Sequence, residues 1–68
     1  MGARVLAPVE RRLFDYPAAA IYLGIGKRGV EQLAKDGELP KITNITNKVL
    51  FDKADLDAFV ERKKAEAS

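Results

Sequence analysis

Cysteine, histidine and tryptophan are missing from this 68-residue chain, and its only serine is the last residue. Without cysteine there is no disulfide framework, and without cysteine and histidine a zinc site of the usual kind has no ligands. A metal would have to be held by carboxylates alone, and these are scattered, so neither metal nor cofactor is expected. The same gaps remove the nucleophile and base pairs of covalent catalysis. Gly24-Ile25-Gly26 is too short for a phosphate loop and follows a helical pattern rather than a strand. The chain therefore reads as a non-enzyme. No apolar run approaches the roughly 18 residues needed to cross a bilayer. Pro8, Glu10, Arg11 and Arg12 interrupt anything like the apolar core of a secretory signal. A soluble, cytoplasmic protein is expected, and the lack of cysteine suits a reducing compartment.

A chain of this length makes one small domain that buries only about 60% of its unfolded surface. Its net charge is +2 and its pI about 9.1. The distribution says more than the total. Between Gly24 and Lys48 five cations (Lys27, Arg28, Lys35, Lys41, Lys48) face three acids, whereas Phe51–Ser68 carries five acids and four cations. The positive excess sits in the middle of the chain, which favours a polyanion on that side.

Residues 1–12 show no clear period and Pro8 breaks any early helix, so they read as a flexible arm. Its Arg4, Arg11 and Arg12 either touch a nucleic-acid backbone or are simply solvated. Asp15 is a good N-cap, Pro17 fits the first turn, and Tyr16, Ala19, Ala20 and Leu23 share one apolar face. Gly24 ends that helix. A second helix is expected from about Lys27 to Asp36, with Val30, Leu33 and Ala34 inward and Gly37 as its stop. Lys41-Ile42-Thr43 and Lys48-Val49-Leu50-Phe51 read as hairpin strands, with Asn44 and Asn47 accepting left-handed angles in the turn. A third helix starts at Asp52, with Leu56, Phe59 and Val60 as its stripe. Its acids at the start and Arg62, Lys63 and Lys64 at the end suit the helix dipole. Residues 13–64 thus form a mainly α domain with a small β-hairpin: a winged helix-turn-helix of three helices and a two-stranded wing. Residues 65–68 are expected to fray.

In such a layout the second helix can enter the DNA major groove. Lys27 and Arg28 open that helix, where an arginine can pair with guanine or clamp a phosphate. Cations there work against the dipole, and that cost argues for a functional reason. Gln32 can read adenine, and Glu31 can accept from cytosine or repel misplaced phosphates. Lys35 lies on the same polar side. Thr43, Asn44, Asn47 and Lys48 make a polar, singly charged wing tip suited to phosphate or minor-groove contact, or only to an ordinary turn. Gly29 either permits close backbone approach or is merely tolerated. Ile21 lies off the core face, and one of Val49, Leu50 and Phe51 should face solvent. Ile21 and Leu50 are therefore candidate protein contacts.

The segments Ala19-Ala20-Ile21-Tyr22-Leu23-Gly24-Ile25, Val30-Glu31-Gln32-Leu33, Asp36-Gly37-Glu38-Leu39-Pro40 and Phe51-Asp52-Lys53-Ala54-Asp55-Leu56-Asp57-Ala58-Phe59 together resemble the small winged-helix excisionase family, related to MerR-type DNA-binding domains. The likeness runs from about Phe14 to Glu61. It implies double-stranded DNA as a partner, several copies lying side by side, and contacts through Lys27, Arg28, Gln32 and Lys48. Small members of that family, from phages or integrative elements, bend attachment-site DNA and steer a partner integrase toward excision without catalysing anything. The chain departs from the pattern at Gly26, Gly29 and Glu31, and its wing tip lacks paired glycines. A small transcription repressor of the same fold and a protein-interaction module without DNA binding are the alternatives.

Overall fold

A computed structural model describes residues 11–67. The elements run β1 (Leu13–Phe14), α1 (Tyr16–Leu23), α2 (Lys27–Lys35), β2 (Phe51–Asp52) and α3 (Lys53–Ala67). The three helices and two-stranded antiparallel sheet agree with the winged helix-turn-helix expected from sequence. Residues 1–10, most of the expected arm, lie outside the described residues.

The ends of α1 and α2 are written in a few residues. Asp15 Oδ1 accepts from the Ala18 N–H at 3.0 Å, satisfying one of the free donors of the first turn. Gly24 takes φ +74°, and the Ile25 N–H closes back on the Ala20 carbonyl. Gly37 repeats the device at φ +82°, with the Glu38 N–H on the Leu33 carbonyl. In both cases a residue in left-handed geometry lets the chain reverse and satisfies carbonyls that the helix leaves open. The three residues Gly24-Ile25-Gly26 join the two helices as the turn of the motif.

Small alanines let α1 and α2 approach. Ala19 and Ala20 on α1 and Val30 and Ala34 on α2 are buried together. Leu39, Phe51 and Leu56 complete the core, with Phe14 capping it. Each such large side chain contributes about 1.5–3 kcal/mol by leaving water. Tyr16 meets Phe51 edge-on at 5.3 Å between ring centroids.

The sheet differs in placement from the expected hairpin. β2 pairs with β1, in register Leu13 with Asp52 and Phe14 with Phe51. The wing is closed by a single antiparallel pair, Ile42 with Leu50, through two backbone hydrogen bonds of 2.8 and 3.0 Å. The stretch 50–52 is thus held by the wing on one side and by β1 on the other. Asn44 and Asn47 do not take left-handed angles, since among the described residues only Gly24 and Gly37 have positive φ. The wing tip is a wide bend over residues 44–48 rather than a tight turn. Thr46 Oγ1 holds it by accepting from the Lys48 N–H at 3.1 Å. Leu50 is half-buried, as is Val49, and Phe51 is fully buried, so the expectation that one of the three faces solvent is not met. At the other end, α3 continues through residues 65–67, which were expected to fray.

Arg12, assigned to the arm, is tied down. Its guanidinium donates to both carboxylate oxygens of Asp52, at 3.0–3.2 Å, and its carbonyl accepts from the Lys53 N–H at 2.8 Å. Asp52 also caps α3 by accepting from the Ala54 N–H at 3.0 Å. Both donors favour the charged carboxylate, Arg12 first, and hold the Asp52 pKa below its ordinary value.

Candidate nucleic-acid interface

α2 is the most sharply two-sided element of the fold. Val30 and Ala34 are buried, while Lys27, Arg28, Glu31, Gln32 and Lys35 are exposed. Its N-cap, Gly26, has no side chain to accept from the first turn. The free N–H groups and the positive end of the dipole therefore face the same solvent as the first two side chains, Lys27 and Arg28. That combination of oriented donors and two cations favours an anion.

The cations of this region differ in how free they are. Lys27 Nζ lies 4.0 Å from Glu31 on the next turn, a loose pair in the less favourable order along a helix. Arg28, Lys35, Lys41 and Lys48 have no carboxylate partner among the described residues. Lys41, just after Pro40, was counted in the charge excess but not singled out as a contact. Its exposure and lack of a partner place it with the others. Gln32 donates its amide to Asp36 at 2.9 Å, so its adenine-reading donor is engaged in the free protein. On the wing, Thr43, Asn44, Asn47 and Lys48 are all exposed, and Ile45 stands 56% exposed at the tip.

The charges of α3 are arranged differently. Arg62 donates to the carboxylate and to the backbone carbonyl of Glu38, both at 3.1 Å, and Lys63 reaches the other Glu38 oxygen at 3.4 Å. These donors, Arg62 first, lower the Glu38 pKa. Glu38 follows directly on the turn that ends α2, so the clamp fixes where the chain leaves the second helix. Tyr22 on α1 donates its phenol to Asp57 on α3 at 2.5 Å, which raises the phenol's pKa and lowers that of the carboxylate. Lys53 also meets Asp57, at 3.3 Å. Neither clamp follows from local spacing, because their members lie 24 to 35 residues apart.

Ile21 is 82% exposed on α1, and Ile25 and Val60 are also exposed. Leu50 instead contributes to a groove beside the wing. Among the described residues no group of carboxylates could hold a metal ion, and no helix is long and apolar enough to cross a membrane.

The family model of the helix-turn-helix domain matches residues 13–64. The chain belongs to the helix-turn-helix domain family. That assignment supports DNA binding, and the family is typically without catalytic activity of its own. No curated protein and no solved structure matches the chain.

Proposed function

We propose that this helix-turn-helix protein is an excisionase: an architectural factor that binds and bends attachment-site DNA and directs a partner integrase toward excision. The observation that carries the DNA-facing part is the row of exposed cations from Arg28 to Lys48 with no acid partner among the described residues. Exposed cations without acid partners on a helix-turn-helix are the electrostatic footprint that suits a polyanion. Lys27 and Arg28 contact the major groove from the start of α2. Glu31, Gln32 and Lys35 lie along the same helix, and Thr43, Asn44, Asn47 and Lys48 follow the backbone from the wing. The excision role rests on the resemblance to small excisionases carried by the segments around Ala19–Ile25, Asp36–Pro40 and Phe51–Phe59.

Single domains of this type cover only about 600–1,000 Å² on DNA. Neighbouring copies therefore bind cooperatively, and the exposed Ile21 is the apolar group offered to such a neighbour or to the integrase. An excision assay with a cognate integrase tests the reading. A rise in excision product on adding the protein is expected. DNA binding without any change in product direction would make it a repressor instead, and no DNA binding at all would leave a protein-interaction module.

A further inference from the structure

Two neighbouring arginines have opposite fates. Arg12 is committed to Asp52, whereas Arg11 has no hydrogen-bond or ion-pair partner among the described residues. Arg11, Leu13 and Asp15, in and beside β1, face the wing residues Thr46, Asn47, Lys48 and Leu50. Between them lies an open groove of about 390 Å³. Leu13 and Leu50 are half-buried in it, and Arg11 and Lys48 both line it. The Arg11 guanidinium lies 5.6 Å from the centroid of the Phe14 ring. A contact with an aromatic face steadies a guanidinium while leaving its in-plane N–H donors open.

We propose that this groove is a second DNA-backbone site, in which Arg11 and Lys48 hold one phosphate from two sides. The inference rests on the DNA-binding reading above and extends the footprint beyond α2 and the wing to the start of β1. Thr46 contributes a hydroxyl proton, because its oxygen already accepts from the Lys48 N–H. Asn47 adds an amide at the same rim. Asp15 also lines the groove and opposes an anion. Its Oδ1 is engaged by the Ala18 N–H, and the start of α1 offsets its charge. Two cations with no carboxylate partner therefore face one capped carboxylate, and the balance favours a phosphate diester.

The test is fluorescence-anisotropy titration of a labelled duplex across a salt series, with R11A, K48A, the double variant, R11K and R28A. Urea unfolding of each variant checks that the fold is intact. A cation that neutralises one phosphate adds about 0.9 to the slope of log K against log salt. Because Lys48 still neutralises the shared phosphate, R11A is expected to weaken binding several-fold near 0.1 M salt with little change in slope, whereas the double variant should lower the slope by about 0.9. R11K should restore the affinity. The loss in the double variant should differ from the product of the single losses, because both side chains hold the same phosphate. Wild-type affinity in R11A, with R28A weakened, would overturn this site and leave the DNA-binding reading standing. Strictly multiplicative losses would overturn the shared phosphate. Absence of DNA binding by the wild-type protein would remove the site and the reading together.

Discussion

From Lys27 to Lys48 the chain carries five cations, and from Lys53 to Lys64 it carries four, yet the two regions spend them differently. Every cation of α3 meets a carboxylate: Lys53 with Asp57, Arg62 and Lys63 with Glu38, and Lys64 with Glu61. In the first region only Lys27 does so, at the limit of contact. Lys53 and Lys64 pair within α3, but Arg62 and Lys63 reach across to Glu38 at the α2 exit and Asp57 holds Tyr22 on α1, so these charges brace the fold. The charges from α2 to the wing brace nothing within the described residues and remain available to a partner. Similar composition thus divides into a frame and a face, and the position of the acids makes the difference.

The division is sharpest if both regions depend on one core. Phe51→Ala should cost about 3–5 kcal/mol, most of the stability a domain this size possesses. The variant should be largely unfolded by circular dichroism at 25 °C and should lose DNA binding with its fold. A milder loss would mean that the wing and β1 do not share the core through Phe51. Next in size, Arg28→Ala is expected to weaken DNA binding about tenfold while leaving the urea midpoint unchanged or slightly raised, since a cation at a helix start opposes the dipole. A lowered midpoint with unaltered affinity would move Arg28 from the face to the frame.

Arg62→Ala should do the reverse. It leaves Glu38 held by Lys63 alone and lowers the urea midpoint by less than a core truncation would, since exposed pairs are well solvated. Its DNA affinity should change less than that of R28A. The frame should also show in acid. Asp52, Asp57 and Glu38 all have pKa values held below their ordinary 3.8, 3.8 and 4.5. A lowered folded pKa stabilises above the unfolded value and is lost as pH falls through the folded one. Stability should therefore hold down to about pH 5 and decline below it. A series of urea midpoints from pH 7 to pH 2 measures this, and Asp52→Asn should flatten the decline. A midpoint that rises on acidification would contradict the three clamps.

Much of the frame was legible because its signals are local. Asp15, Pro17, Gly24, Gly37 and Asp52 mark helix ends through backbone chemistry within a few residues. The inward faces of α1 and α2 follow from spacings of three and four. The pairing of β1 with β2 was not legible, because two-residue strands carry no period. The Arg12–Asp52, Tyr22–Asp57 and Glu38–Arg62 contacts join residues 24 to 40 positions apart, a separation that no pattern of spacing encodes. The wing misled for a related reason. Asparagines suggested a tight turn, but one Ile42–Leu50 pair and the Thr46 hydroxyl suffice to close a wide bend. For the candidate interface, the cations were legible as types and positions. Which of them lack an acid partner depended on the fold.

The smallest expected effect concerns Gly29. A Cβ there would meet only the end of the Ile25 side chain, at 3.4 Å. Gly29→Ala should therefore gain up to about 1 kcal/mol in urea unfolding through helix propensity. Unchanged DNA affinity would make the glycine merely tolerated, and weakened affinity would mean that the backbone of the face must approach DNA closely there.

The claim that the α2-to-wing surface faces a polyanion is tested most directly by measuring the DNA affinity of the wild-type protein from low to moderate salt. Five cations engaged on phosphates predict that log K falls with log salt at a slope of about −4 to −5. A slope near zero, or no binding to duplex DNA at low salt, would contradict it.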